Sequence, residues 1–259
     1  IGAPLEWGKS TSPLVLDDPP LVVVTGSRNT PTILAYHRDN GEPAWTAGDD
    51  DGSYASPVFT PDLAGRPQIV SVNATTVTGH DPATGKELWR DVGLNPNDEG
   101  NYRIISSPVT VGDIVVAPTR IRPMLVLRAF GKGDVTGKRR LWTFDRGPDV
   151  PTPTTDGTLL YVVTDKGILW CLDLKTGKTI YGPQRLSVGT YSSSPLLADG
   201  KLYIPTEEAV TSVVKAGPEF ELLAENALEG FTLASPVANG GQILLRTGTA
   251  LYCLGKTGS

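Results

Sequence analysis

A chain of 259 residues with 39% apolar and 20% charged residues and a formal net charge of -5 has enough apolar content to fold and is not a disordered polyelectrolyte. It has no lysine or arginine block of the kind that neutralises phosphates, and no apolar run near the roughly 20 residues of a membrane-spanning helix. Glycine (29) and proline (22) are both frequent, which favours many short strands joined by turns over long helices.

The chain opens at Ile1 rather than Met, so a preceding segment is expected to have been removed, and any export signal would have gone with it. Ser12-Pro13 is the first of six markers, each followed by an apolar run: Ser56-Pro57, Ser107-Pro108, Thr152-Pro153, Ser194-Pro195 and Ser235-Pro236 repeat it. Successive prolines are 44, 51, 45, 42 and 41 residues apart, the length of one four-stranded propeller blade. After each marker a strand, a turn such as Gly112-Asp113, Asp156-Gly157, Asp199-Gly200 or Asn239-Gly240, and a second apolar strand are expected.

A second repeat lies between the third and fourth strands. Its first copy, His37 to Trp45, carries Gly41 four residues after His37. Its clearest copy is Asp81-Pro82-Ala83-Thr84-Gly85-Lys86-Glu87-Leu88-Trp89. In this unit Asp caps a turn, Gly supplies positive φ, and the aromatic returns on an antiparallel strand to cover a neighbouring sheet. A third copy, Gly133 to Trp142, reads with Gly133 in the Asp place, one extra residue and Gly137 in the turn. The fourth runs from Asp173 through Gly177 to Tyr181, and a worn fifth spans Val213 to Glu221.

Several stretches invite a sharper reading. Asp49-Asp50-Asp51-Gly52-Ser53 gathers carboxylates, but the alternating ligands and distal Glu of a calcium loop are missing, so a solvated loop between blades is expected. Thr176-Gly177-Lys178-Thr179 fails as a phosphate loop because Leu172 stands where that motif needs Gly. Only His37 and His80 exist, too few for a histidine-rich metal site or a histidine-based triad. They read as surface or strand-end residues. Asn73-Ala74-Thr75 fits a glycosylation acceptor by chance. Cys171 and Cys253 share one repeat position and read as small buried hydrophobes in separate cores. The longest connection, Asp91 to Ile105, carries Asn97, Asp98, Glu99, Tyr102 and Arg103, and Arg120, Arg122 and Arg146 fall in or near loops that follow. This mixture suits a protein partner or a polar ligand, while scattered solvated charge accounts for the same residues.

The phased copies of Asp-x-x-Thr-Gly-Lys-x-x-Trp resemble the pyrroloquinoline-quinone-like β-propeller repeat family over essentially the whole chain. The resemblance implies an all-β fold, a single propeller domain over residues 1–259 of about six four-stranded antiparallel blades. An eight-bladed relative lacking two blades is the alternative. Leu5-Glu6-Trp7 is expected to complete the last blade. The family includes quinoprotein dehydrogenases, the lipoprotein of the outer-membrane assembly machinery, sensor ectodomains and exported propellers of planctomycete type, and this chain looks most like the last group. The adjacent cysteines and calcium ligands of the dehydrogenases are not matched. No cofactor, metal or catalytic residue is therefore expected, and the repeat residues are read as structural. The implied function is a non-catalytic scaffold binding a protein partner in the bacterial periplasm or outside the cell. A quinone-dependent dehydrogenase or carbohydrate-active enzyme and a ligand-sensing ectodomain are the other readings.

Overall fold

In the computed structural model, which describes residues 10–26, 31–97, 99 and 103–255, every regular element is a strand. The chain divides into two compact units, Ile1–Gly147 and Pro148–Ser259. The first unit holds three sheets. One contains β1 (Leu14–Val15), β2 (Leu21–Thr25), β3 (Ile33–His37) and β4 (Pro43–Ala47), and the next β5 (Val58–Pro61), β6 (Pro67–Val72), β7 (Thr76–His80) and β8 (Glu87–Val92). The third is built from β9 (Val109–Val111), β10 (Ile114–Ala117), β11 (Met124–Arg128) and β13 (Arg140–Phe144), while β12 (Gly133–Asp134) crosses to pair in parallel with β8.

The second unit repeats the plan. Its sheets are β14 (Thr154–Thr155), β15 (Leu159–Val163), β16 (Ile168–Asp173) and β17 (Thr179–Arg185), then β18 (Leu196–Ala198), β19 (Lys201–Pro205), β20 (Val210–Lys215) and β21 (Leu222–Ala227), then β22 (Val237–Asn239), β23 (Gln242–Arg246) and β24 (Leu251–Gly255). The six sheets are antiparallel meanders with neighbours in chain order, β12 apart, as the repeat spacing predicts. Leu5 to Trp7 lie outside the described residues, and the sixth sheet has three strands among those described.

The middle strands are the most buried. All residues of β7 and β10 are buried, as are most of β11 and β15. A strand covered on both faces must be apolar at consecutive positions, which is why Ile114-Val115-Val116 and Leu160-Tyr161-Val162-Val163 read as unbroken runs. In the first unit Val70, Val72, Val115, Ala117, Leu125 and Leu127 join Trp89 in one core. In the second unit Tyr161, Leu169, Cys171, Leu202, Ile204 and Val214 form another.

The Ser-Pro markers turn out to be joints. Ser12 N–H donates to Ser56 Oγ at 2.8 Å and Ser56 N–H to Ser107 Oγ at 3.0 Å. In the second unit Thr152 N–H donates to Ser194 Oγ at 3.0 Å and Ser194 N–H to Ser235 Oγ at 2.9 Å. Each of these four markers thus offers a backbone donor to the hydroxyl of the next sheet in its unit. The proline after it opens the inner strand, where no ladder partner is lost.

The second repeat is equally regular. Residues His37, Asp81 and Asp173 each accept a bond from the glycine N–H four residues on, at 2.8, 2.9 and 2.8 Å, and Gly41, Gly85 and Gly177 share φ +72°. The carboxylates of Asp81 and Asp173 accept from the N–H and hydroxyl of Thr84 and Thr176, which holds the Asp173 carboxyl below the usual range. The third copy departs from its sequence reading. Arg128 occupies the place of Asp81, bonding Arg139 as Asp81 bonds Lys86, and the insertion 129–138 lies between them. Gly133 therefore belongs to the excursion β12, and Asp134, not Gly133, caps the Thr136-Gly137 turn.

The aromatics dock across sheets. Trp45 donates its indole N–H to Pro82 O at 3.0 Å and lies over Gly85, where an added Cβ would meet the ring at 2.4 Å. Tyr181 meets Phe220 edge-on, with centroids 5.8 Å apart. Trp89 is fully buried, and Trp142 is half-buried.

Two other expectations need correction. Cys171 is buried, but Cys253 is exposed. Both sit on third strands, yet β16 is covered by β17 whereas β24 has no fourth strand beside it among the described residues. His80 does end a strand but is wholly buried. Its Nδ1 is 3.0 Å from Gly85 O and its Nε2 2.9 Å from Thr78 Oγ1. Burial holds its pKa below the usual histidine value, ahead of the opposing pull of the Gly85 carbonyl and Glu87. His37 is exposed at the end of β3.

Candidate interaction surface

Strand direction decides which residues share an end of the sheets. In the third sheet the registers Val116 to Val109, Ala117 to Leu125 and Met124 to Phe144 place the start of β9, the end of β10, the start of β11 and the end of β13 together. Arg103 precedes β9, Arg120 and Arg122 join β10 to β11, and Arg146 follows β13. All four arginines are thus brought to one end, the loop end, by three connections. Arg120, Arg122 and Arg146 are exposed and Arg103 is half-buried.

The long connection before β9 supplies the remaining candidates. Asn97 and Glu99 are exposed, and Asn95 is buried beneath them. Its side chain donates to Glu99 O at 3.1 Å and accepts from Glu99 N–H at 2.9 Å, which closes the loop on itself. Asp98 and Tyr102 lie outside the described residues.

The aspartate run at the same end is only partly solvated: Asp49 is exposed, whereas Asp50 and Asp51 are half-buried. Asp50 Oδ2 accepts from Thr75 N–H, Thr76 N–H and Thr76 Oγ1 at 2.8, 2.9 and 2.8 Å, tying the first connection to the β6–β7 turn. Asp49 pairs with Arg90 at 2.7 Å, and that guanidinium lowers its carboxyl pKa. Ser53 Oγ donates to Val72 O at 2.5 Å. Carboxylates committed to backbone donors and a guanidinium in different directions do not form a convergent cage, and no cluster of three or more possible metal ligands occurs among the described residues. Asn73 is also consumed inside, with its amide between Ser71, Thr76 and Thr78, so it presents no glycosylation acceptor.

Burial pushes the Cys171 thiol up to about 12, which keeps it protonated and non-nucleophilic at neutral pH. The phenol of Tyr161 donates to Asp156 at 3.2 Å and accepts from Gly217 N–H at 2.8 Å, a strand-to-turn joint.

Sequence reasoning missed the opposite end of the first unit. There the excursion 129–138 walls a groove of about 600 Å³ against β8 and the β5–β6 turn. The signal was present as the spacing between Arg128 and Arg139, longer than the Asp81 to Lys86 interval. Aligning Gly133 with Asp81 concealed it.

Residues 5–181, more than half of the chain, match the family model described as outer membrane protein assembly factor BamB. Among curated proteins none matches the chain. Solved structures share the fold at low identity. BamB from Moraxella catarrhalis aligns at 13% identity and TM-score 0.59, covering 95% of this chain and 85% of that one. The computationally designed Ika8 protein aligns at 14% and 0.64, covering 93% and 69%. The quinohemoprotein alcohol dehydrogenase from Comamonas testosteroni aligns at 14% and 0.62, with 85% of this chain covering only 43% of the enzyme.

Proposed function

The chain belongs to the family described as outer membrane protein assembly factor BamB, and from that premise we propose that it is a non-catalytic β-propeller scaffold of the bacterial cell envelope. Its partner is a protein, engaged at the loop end of the first unit. The observation that carries this reading is the convergence of Arg103, Arg120, Arg122 and Arg146 on one end from three separate connections. Arginine forks pair bidentately with carboxylates and stack on aromatic faces, and they are enriched where interface energy concentrates. Asn97 and Glu99, both exposed, extend the surface with hydrogen-bonding and acidic groups.

The test is capture from envelope extract with the intact chain as bait, comparing it with the double variants Arg120→Ala/Arg122→Ala and Tyr102→Ala/Arg103→Ala. One specific protein should be recovered by the wild type and reduced at least about tenfold by either double variant, with thermal stability preserved for Arg120→Ala/Arg122→Ala. Undiminished capture by both variants overturns the surface. Alcohol oxidation that appears only on adding quinone and calcium overturns the non-catalytic assignment.

A further inference from the structure

The groove at the opposite end of the first unit is built from parts that the repeat does not require. In the regular turn four residues separate Asp81 from Lys86; in the third sheet residues 129–138 separate Arg128 from Arg139, and they climb the outer edge of the second sheet as β12. The start of this excursion is held from both sides. Gln68 donates its Nε2 to Ala129 O and accepts the Trp89 indole N–H at 2.8 Å, and the guanidinium of Arg139 sits 4.2 Å from the centroid of the Phe130 ring. Leu88 and Phe130 are half-buried in the groove above the buried Trp89 and give it an apolar floor.

Around the floor two carboxylates are paired with arginines and two lysines are not paired among the described residues. Asp62 is locked to Arg66 at 2.6 Å; burial raises its pKa, but Arg66 and the turn N–H groups lower it by more, and it stays ionised and occupied. Glu87 is bound by Arg90 at 2.6 Å, and Asp81 caps its own turn. Lys86 and Lys132 line the same groove from the β7–β8 turn and from the excursion, both exposed, and neither has a carboxylate partner among the described residues. The groove's volume lies within the range of about 300–1,000 Å³ usual for pockets that hold a small ligand or a few side chains.

We infer that this groove is a second recognition site, distinct from the loop-end surface, for an acidic peptide segment of a partner protein that alternates carboxylates with apolar side chains. Its carboxylates pair with Lys86 and Lys132 while an apolar side chain covers Leu88 and Phe130. Asp62 and Glu87 are each paired with an arginine, and the two lysines outnumber Asp81, the one lining carboxylate with no cationic partner among the described residues, so an anionic ligand is favoured over a cationic one.

The probe is a capped tetrapeptide of alternating aspartate and phenylalanine, titrated into the intact isotope-labelled chain and followed by amide and indole resonances. The Trp89 indole signal and the amides of residues 130–133 should shift saturably, and binding should weaken as salt rises. Lys86→Gln/Lys132→Gln should reduce affinity at least about tenfold without changing the melting temperature, because both side chains are exposed. Equal affinity for the double variant overturns the site, as does equal binding of a lysine–phenylalanine tetrapeptide or shifts confined to the loop end. If phenylacetate moves the Trp89 signal as strongly as the peptide does, the peptide assignment fails. Arg120→Ala/Arg122→Ala serves as control: it should leave this titration intact, so the two surfaces stand or fall separately.

Discussion

The first unit contains two seams between neighbouring sheets, and they are made differently. Between the first and second sheets the joint uses two repeat parts, the Ser12 to Ser56 link and Trp45 on the Pro82–Gly85 turn, and one singular contact, Asp50 clamping Thr75 and Thr76. Between the second and third, the serine link is supplemented by an insertion. Strand β12 pairs with β8, Val92 N–H donates to Thr136 Oγ1 at 2.8 Å, and Arg140 binds the wholly buried Asp91 side chain at 2.6 Å. The first seam joins two sheets with no added chain. The second shows that added chain does something else: it covers the outer edge of the second sheet, which otherwise offers unpaired backbone groups to any passing strand, and it creates a groove.

The sharpest way to break the contrast is Asp91→Ala. It strands Arg140 and removes the acceptor of Gly137 N–H, and it should cost about 3 kcal/mol in denaturant unfolding. A smaller cost would mean that the insertion is held by β12 pairing alone. Next in size is Gly85→Ala in the first seam. Both the left-handed φ and the Trp45 ring oppose a Cβ there, so a loss of about 2 kcal/mol is expected. Gly41→Ala has the same φ with open space around it and should cost about 1 kcal/mol. Equal losses at the two positions would show that Trp45 yields freely and does not press on the turn.

The mildest probe is pH, acting through His80, which supports the same turn at the Gly85 carbonyl. Its folded pKa is depressed by burial, so the unfolded chain takes up a proton first. Its contribution is intact above the ordinary histidine pKa and declines as pH falls toward the lowered folded value, with a slope of at most about 1.4 kcal/mol per pH unit. Melting curves of wild type and His80→Gln between mildly alkaline and mildly acidic pH should converge as pH drops. Parallel curves would remove His80 from the account.

What could be read without coordinates follows the same division. Repeated residues were legible because each is constrained by the same contact many times over: Ser56, Ser107, Ser194 and Ser235 accept one kind of bond, and Gly41, Gly85 and Gly177 adopt one φ. Singular residues were not. Nothing in Asp49-Asp50-Asp51 says that its middle carboxylate reaches the Thr75-Thr76 turn. The burial of His80 depends on the Gly85 carbonyl folding back over it. The groove stayed hidden because its walls come from stretches that only β12 crossing to β8 brings together. Of the arginine surface the sequence showed that loops carry it, and strand direction was needed to place it at one end.

The serine links have a consequence for how such chains change length. Every link asks only for a hydroxyl at the start of the following repeat and a backbone donor from the preceding one, so it is blind to how many repeats stand on either side. Deleting or duplicating a whole repeat leaves the serine link itself complete at the new junction. The serine links therefore set no repeat number, whereas an insertion such as 129–138 is tied to the two neighbours it was shaped against.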